Sequence, residues 1–145
     1  SAKPIIDILI GLENTNSFEL IVNSMLLNEQ YIHFKVYESN LPYRRFFVKT
    51  KKYCSTIPQT IVEDLDNELL KLNQRKFHIH FVPKTHIYCT AHIEFKRILE
   101  KNSNLFNDYL NLKLKLSKQT WKNTKEYSLA KSDFITMVLK NNNVI

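Results

Sequence analysis

Three sets of residues in this sequence have side chains and spacing suited to chemistry. The first is Asp7, a single carboxylate inside the β-branched run Pro4-Ile-Ile-Asp-Ile-Leu-Ile10, which ends at Gly11. A charge within a buried strand costs several kcal/mol unless it is paired, bound to a metal or open to a cleft. A strand-end ion pair is the plain reading of Asp7, and a ligand-facing acid is the functional one. The second set is His78 and His80, two residues apart in the alternating segment Lys76–Val82. Alternation puts both imidazoles on one sheet face, roughly 6–7 Å apart along the strand, where they suit a metal or a phosphate. Polar residues on the wet face of a half-buried strand would show the same pattern. The third set is the cations Lys3, Arg44, Arg45, Lys96, Lys113 and Lys131. Adjacent arginines beside a strand suit bidentate phosphate recognition, although each cation taken singly reads as a surface charge. Lys113 and Lys131 each follow a tyrosine at helical reach, Tyr109 and Tyr127, a neighbourhood that stem packing alone also explains.

Other chemistries are excluded or weakened by composition. Gly11 is the only glycine, so no multi-glycine phosphate loop can form, and there is no GxSxG or HExxH motif. Cys89 lies near His86 and His92, but a cysteine within an apolar helix is ordinarily a core residue. Cys54 and Cys89 make no metal-binding spacing, and free thiols in a reducing cytosol are expected. The balance of 21 Lys and Arg against 14 Asp and Glu gives +7, which favours an anionic partner such as a nucleotide, a phosphorylated substrate or RNA. No apolar run is long enough to span a membrane and no cleavable signal is present, so a soluble, cytoplasmic protein is expected.

The elements that must position these groups follow from periodicity. A buried strand is expected over residues 4–12, then a helix over 17–28 with Phe18, Ile21, Val22, Met25 and Leu26 on one face. Strands are expected over Tyr31 to Tyr37, Arg44 to Lys49 and Lys76 to Val82, the last with His78, His80 and Val82 facing away from Phe77, Ile79 and Phe81. Between them Pro58 reads as a helix start. Ile61, Val62, Leu65, Leu69 and Leu72 keep a helical period, with Glu63, Asp64, Asp66 and Glu68 outward. Helices are expected over 88–101, 103–117 and 123–140, with a frayed Asn141-Asn-Asn143 tail. A β-rich first half followed by a helical second half predicts a single α+β domain of 145 residues.

Read in order, the residues resemble a known family. The opening Ala2-Lys-Pro-Ile-Ile-Asp-Ile-Leu-Ile10 is similar to the segment after the glycine–serine signature of the GrpB family, a branch of the nucleotidyltransferase-fold superfamily. Arg44-Arg-Phe-Phe47, His78-Ile-His-Phe-Val82, Phe95-Lys96 with Leu99, Tyr109 with Leu112-Lys113, and Tyr127 with Lys131 and Phe134-Ile135 continue it across almost the whole chain. The resemblance implies a small mixed sheet flanked by helices, with Asp7 as a Mg²⁺-binding acid and His80 as a metal or phosphate contact. Lys3, Arg44, Arg45, His78, Lys113 and Lys131 would hold a nucleoside triphosphate, and the implied reaction is transfer of a nucleoside monophosphate to an unidentified acceptor. A non-catalytic nucleotide- or RNA-binding module of the same fold is the alternative. Two departures bear on that choice: Leu9 stands where the superfamily's second acid is expected, and the sequence does not include the glycine–serine segment that would precede Ser1. Residues 50–75 read as an insertion in the family's link between the Arg-Arg-Phe-Phe and His-x-His strands.

Overall fold

In a computed structural model the described residues are 5–63, 70–120 and 124–145. The chain divides into two compact units, Ser1–Cys89 and Thr90–Ile145, and its architecture is α+β.

The first unit is built on a four-stranded mixed sheet. Its strands are β1 (Ile6–Leu12), β2 (Tyr31–His33), β3 (Arg45–Thr50) and β4 (Arg75–Pro83), in the order β1-β4-β3-β2. β1 runs parallel to β4, and the other two pairings are antiparallel. Strand alternation gives the sheet two faces with separate cores. On one face Phe47, Ile79 and Phe81 are buried against Ile8, Leu12 and the apolar stripe of α1 (Phe18–Met25), as the expected helix period requires. On the other, Phe46 and Val48 pack with Ile32, Phe34, Ile57, Ile61 and Leu70.

Three features differ from the sequence expectation. β1 is not a buried strand: it lies at an edge of the described sheet, with Ile6 55% and Ile10 37% exposed. Its apolar run reflects pairing with β4 and contact with α1 on one face, not enclosure on both. The second strand stops at His33, and Lys35–Ser39 winds into a 3₁₀ turn. Beyond that point the edge is taken over by the 57–61 segment, through His33 N–H to Gln59 O (2.6 Å), Ile61 N–H to His33 O (2.8 Å) and Val36 N–H to Ile61 O (3.0 Å).

The same pairing explains why residues 58–63 are not the start of a helix. Their backbone groups are satisfied by the sheet edge, with Thr60 bridged to His33, and the Gln59 amide donates to the carbonyls of Leu26, Asn28 and Tyr31. Ile61, which opened the expected helical period, packs in the core with Ile57 from an irregular segment. The rest of the expected helix, with Leu65, Leu69, Asp64, Asp66 and Glu68, lies outside the described residues up to a short 3₁₀ turn at Leu72–Gln74.

The second unit is helical, with α2 (Ile87–Lys101) running into it and followed by α3 (Ser103–Ser117) and α4 (Thr124–Asn141), close to the spans expected. The Asn102 side chain accepts from Leu105 N–H at 3.1 Å and so caps α3 at the Asn-Ser-Asn break. One ring from each helix builds the interior. Phe95 meets Tyr109 edge-on at 5.2 Å, and Tyr109 stacks on Phe134 at 5.6 Å. The tail is a formed helix stop: Asn143 takes φ 58° and Val144 N–H returns to Leu139 O at 2.9 Å.

Candidate functional site

The β1–β4 register places Asp7 opposite His78 and Leu9 opposite His80 on one sheet face. The two imidazoles converge on a single carboxylate oxygen. His78 Nδ1 lies 3.3 Å and His80 Nε2 3.6 Å from Asp7 Oδ1. The histidine side chains are 16% and 18% exposed, whereas Asp7 is 69% exposed. The carboxylate therefore stands at the surface on a half-buried imidazole floor, which resolves the cost of a charge in an apolar strand.

An arginine holds the far side of each ring. Arg75 Nη1 is 3.2 Å from His78 Nε2, and Arg44 Nη1 is 3.3 Å from His80 Nδ1. Guanidinium groups only donate, so a neutral ring that accepts there carries its proton on the nitrogen facing Asp7. Each imidazole thus lies between an arginine and Asp7, with the His78 contact to the carboxylate shorter than that of His80. Hydrogen bonding from His78, then from His80, holds the Asp7 carboxyl far below the usual carboxylate range. Burial pushes His80 below the ordinary histidine value and outweighs the opposing pull of Asp7, in keeping with a neutral ring.

Aromatic residues position the rest. Phe46, alternating onto this face from β3, lies 4.8 Å from the His80 ring and 5.4 Å edge-on from His78. The Arg44 guanidinium sits 5.1 Å over Phe46 and also faces Tyr37 and Tyr88 at 6.0 and 5.9 Å. Arg44 Nη1 also donates to the Tyr88 hydroxyl at 3.4 Å.

Of the residues expected from sequence, Asp7, His78, His80 and Arg44 come together. Arg45 does not join them, because it alternates to the opposite face. There its Nε is 3.3 Å from Glu38, its guanidinium lies 4.3 Å over the Phe18 ring, and Glu38 also binds buried His33. These residues line an open cleft of about 360 Å³ with Val22 and Lys35. Lys113 and Lys131 lie on α3 and α4 over the rings of Tyr109 and Tyr127, at 5.0 and 4.6 Å, and Lys96 is an exposed partner of Glu100. Lys3 lies outside the described residues. Cys89 is buried and free, as a core residue.

Sequence reasoning missed Phe46, Tyr88 and Arg75. The aromatic pair after Arg45 signalled a strand but not which ring would face the histidines. Arg75 gave no signal, since simple alternation from His78 puts it on the other face.

The donor set bears on the expected Mg²⁺. Among the described residues no group of three or more His, Cys, Asp or Glu is arranged to hold a metal ion. His80, expected as a metal contact, presents a ring nitrogen 3.6 Å from the Asp7 carboxylate. Mg²⁺ prefers oxygen and is commonly held by one carboxylate, waters and substrate phosphates. The residues fit the ion at Asp7 alone, as a companion of a bound phosphate. No helix is long and apolar enough to cross a membrane among the described residues.

Comparison with known proteins gave one match, to a family model described as GrpB protein, over residues 1–141. No curated protein and no solved structure matched the chain.

Proposed function

The chain belongs to the GrpB family, and on that premise we propose that it binds the phosphate end of a nucleoside triphosphate with Mg²⁺ at Asp7. The observation that carries the reading is an exposed carboxylate 3.3 and 3.6 Å from two imidazoles, with an arginine fork beside it. Asp7 supplies the one protein oxygen for the ion. When bound, Mg²⁺ would neutralise phosphate charge and polarise a phosphoryl oxygen. Arg44, flanked by Phe46, Tyr37 and Tyr88, offers its remaining N–H groups to phosphate oxygens. His78 and His80 hold the carboxylate in one orientation, which lowers the ordering cost of binding.

Such a site also suits transfer of a nucleoside monophosphate to an acceptor, in the manner of the nucleotidyltransferase superfamily. Leu9, opposite His80 where a second acid would stand, favours binding without transfer. Among the described residues a single carboxylate stands there, which leaves no protein ligand for a second ion.

Calorimetric titration of ATP, with and without Mg²⁺, tests the assignment. Binding is expected to need Mg²⁺ and to be lost in Asp7→Ala without unfolding of the protein. Unchanged ATP binding in that variant refutes the site. Incubation with labelled nucleotides then separates the two readings, since label transferred to any acceptor makes the protein an enzyme. Salt-sensitive RNA binding without transfer identifies the RNA-binding form of the module.

A further inference from the structure

The pairing of β3 with β4 slips by one residue at its end. Lys49 faces Phe77, but Thr50 faces Arg75, so Lys76 is an extra residue in β4. A bulge of this kind reverses the alternation and re-aims the side chain beyond it. Arg75 consequently lies on the histidine face, its guanidinium 5.7 Å over Phe34 and its Nη2 donating to Leu70 O at 3.3 Å.

As a stabilising residue Arg75 is poorly provided for. Its Nε is buried without a hydrogen-bond partner, and no carboxylate pairs with it among the described residues. Burial pulls its pKa below the ordinary arginine value. Leaving a buried donor unsatisfied costs free energy, and a group kept at that cost calls for another explanation. The contact that gives one is Nη1 to His78 Nε2 at 3.2 Å.

We infer that Arg75 is a positioning residue for the Asp7 site: it fixes His78 as the Nδ1–H tautomer, so that the imidazole donates to the carboxylate. A free histidine side chain prefers the proton on Nε2, which would leave a lone pair facing Asp7. The bulge at Lys76 is thus the device that turns His78 from a repelling neighbour of the carboxylate into its donor. Arg44 has the complementary task at His80, where it keeps the Nε2–H form. The link from Arg75 to ligand affinity rests on the nucleotide reading above, whereas the tautomer itself does not.

Two-bond ¹H–¹⁵N correlation spectra of protein carrying ¹⁵N-histidine read the tautomer directly, with His78→Gln providing the assignment. The wild type is expected to show His78 protonated at Nδ1 only. Arg75→Met, which removes the donor, moves the proton to Nε2, Arg75→Lys restores the Nδ1–H form, and His80 stays Nε2–H throughout. A wild-type His78 protonated at Nε2, or an unchanged tautomer in Arg75→Met, overturns the inference. The wild-type spectrum decides the matter even if Arg75→Met does not fold. With Mg²⁺–ATP as probe, Arg75→Met weakens binding about fivefold and Arg75→Lys recovers most of it. Unchanged affinity after a tautomer shift removes Arg75 from ligand positioning. Absence of ATP binding by the wild type removes the nucleotide reading and leaves the tautomer result intact.

Discussion

At the scale of single residues, Asp7 is made useful by its neighbours. A strand carboxylate is ordinarily a liability, and here two imidazoles reduce that liability without covering it. Arg44 is the residue best placed to meet a phosphate. Its flat guanidinium is held by three rings and already commits Nη1 to His80 and Tyr88. Lysine keeps the charge but loses the planar fork and the ring contact. Arg44→Lys is therefore expected to weaken Mg²⁺–ATP binding about tenfold with little change in melting temperature. Calorimetry on the variant checks this, and wild-type affinity would show that Arg44 serves packing alone.

At the scale of elements, the parallel β1–β4 pair carries the site, and its close fit shows at Gly11. A Cβ there would come within 3.2 Å of Cys89 Sγ and 3.3 Å of the Lys84 Cα. Lys84 cannot recede easily, because its N–H is tied to Leu12 O at 2.7 Å. Gly11→Ala should cost about 1–3 kcal/mol by overpacking. Phe47→Ala, in the core beneath α1, should cost about 3–5 kcal/mol. Urea denaturation of both variants measures the difference.

Much of this arrangement was legible in the sequence, and the limits have physical causes. The His78-x-His80 alternation and the helix spans read correctly because long periodic segments report the faces they bury. Residues 58–63 read as a helix start because Pro58 and the apolar period beginning at Ile61 suit one, whereas their backbone pairs with the sheet edge. Arg75 was hidden because a bulge breaks the rule by which faces are assigned. Arg45 was grouped with Arg44 because adjacent cations were weighed without the strand alternation that sends it to the opposite face. Its partnership with Glu38 depends on a 3₁₀ turn that periodicity does not report.

At the scale of the whole molecule, several buried ionisable groups give stability a common pH dependence. His33 and His80 are both held below the ordinary histidine value of 6.5, in each case chiefly by burial. The unfolded chain therefore takes up protons near that value while the folded chain resists them. The contribution of these histidines is complete above it and is lost as pH falls toward their lowered folded values. Asp7 acts in the same direction below its ordinary value of 3.8. The urea midpoint should thus fall between about pH 7.5 and about pH 5.5, and His33→Gln should shrink that fall. A midpoint flat across this range would mean that neither histidine is buried as described.

The family match spans both units, and the net charge of +7 suits an anionic ligand throughout. The central claim is that a nucleotide phosphate is bound beside Asp7. Its most direct measurement is paramagnetic broadening of the protein's NMR spectrum by ATP carrying Mn²⁺ in place of Mg²⁺. The account predicts that the signals of Asp7, His78, His80 and Arg44 broaden first in the wild type and that this pattern is lost in Asp7→Ala. Broadening centred elsewhere, or the same pattern in Asp7→Ala, would contradict it.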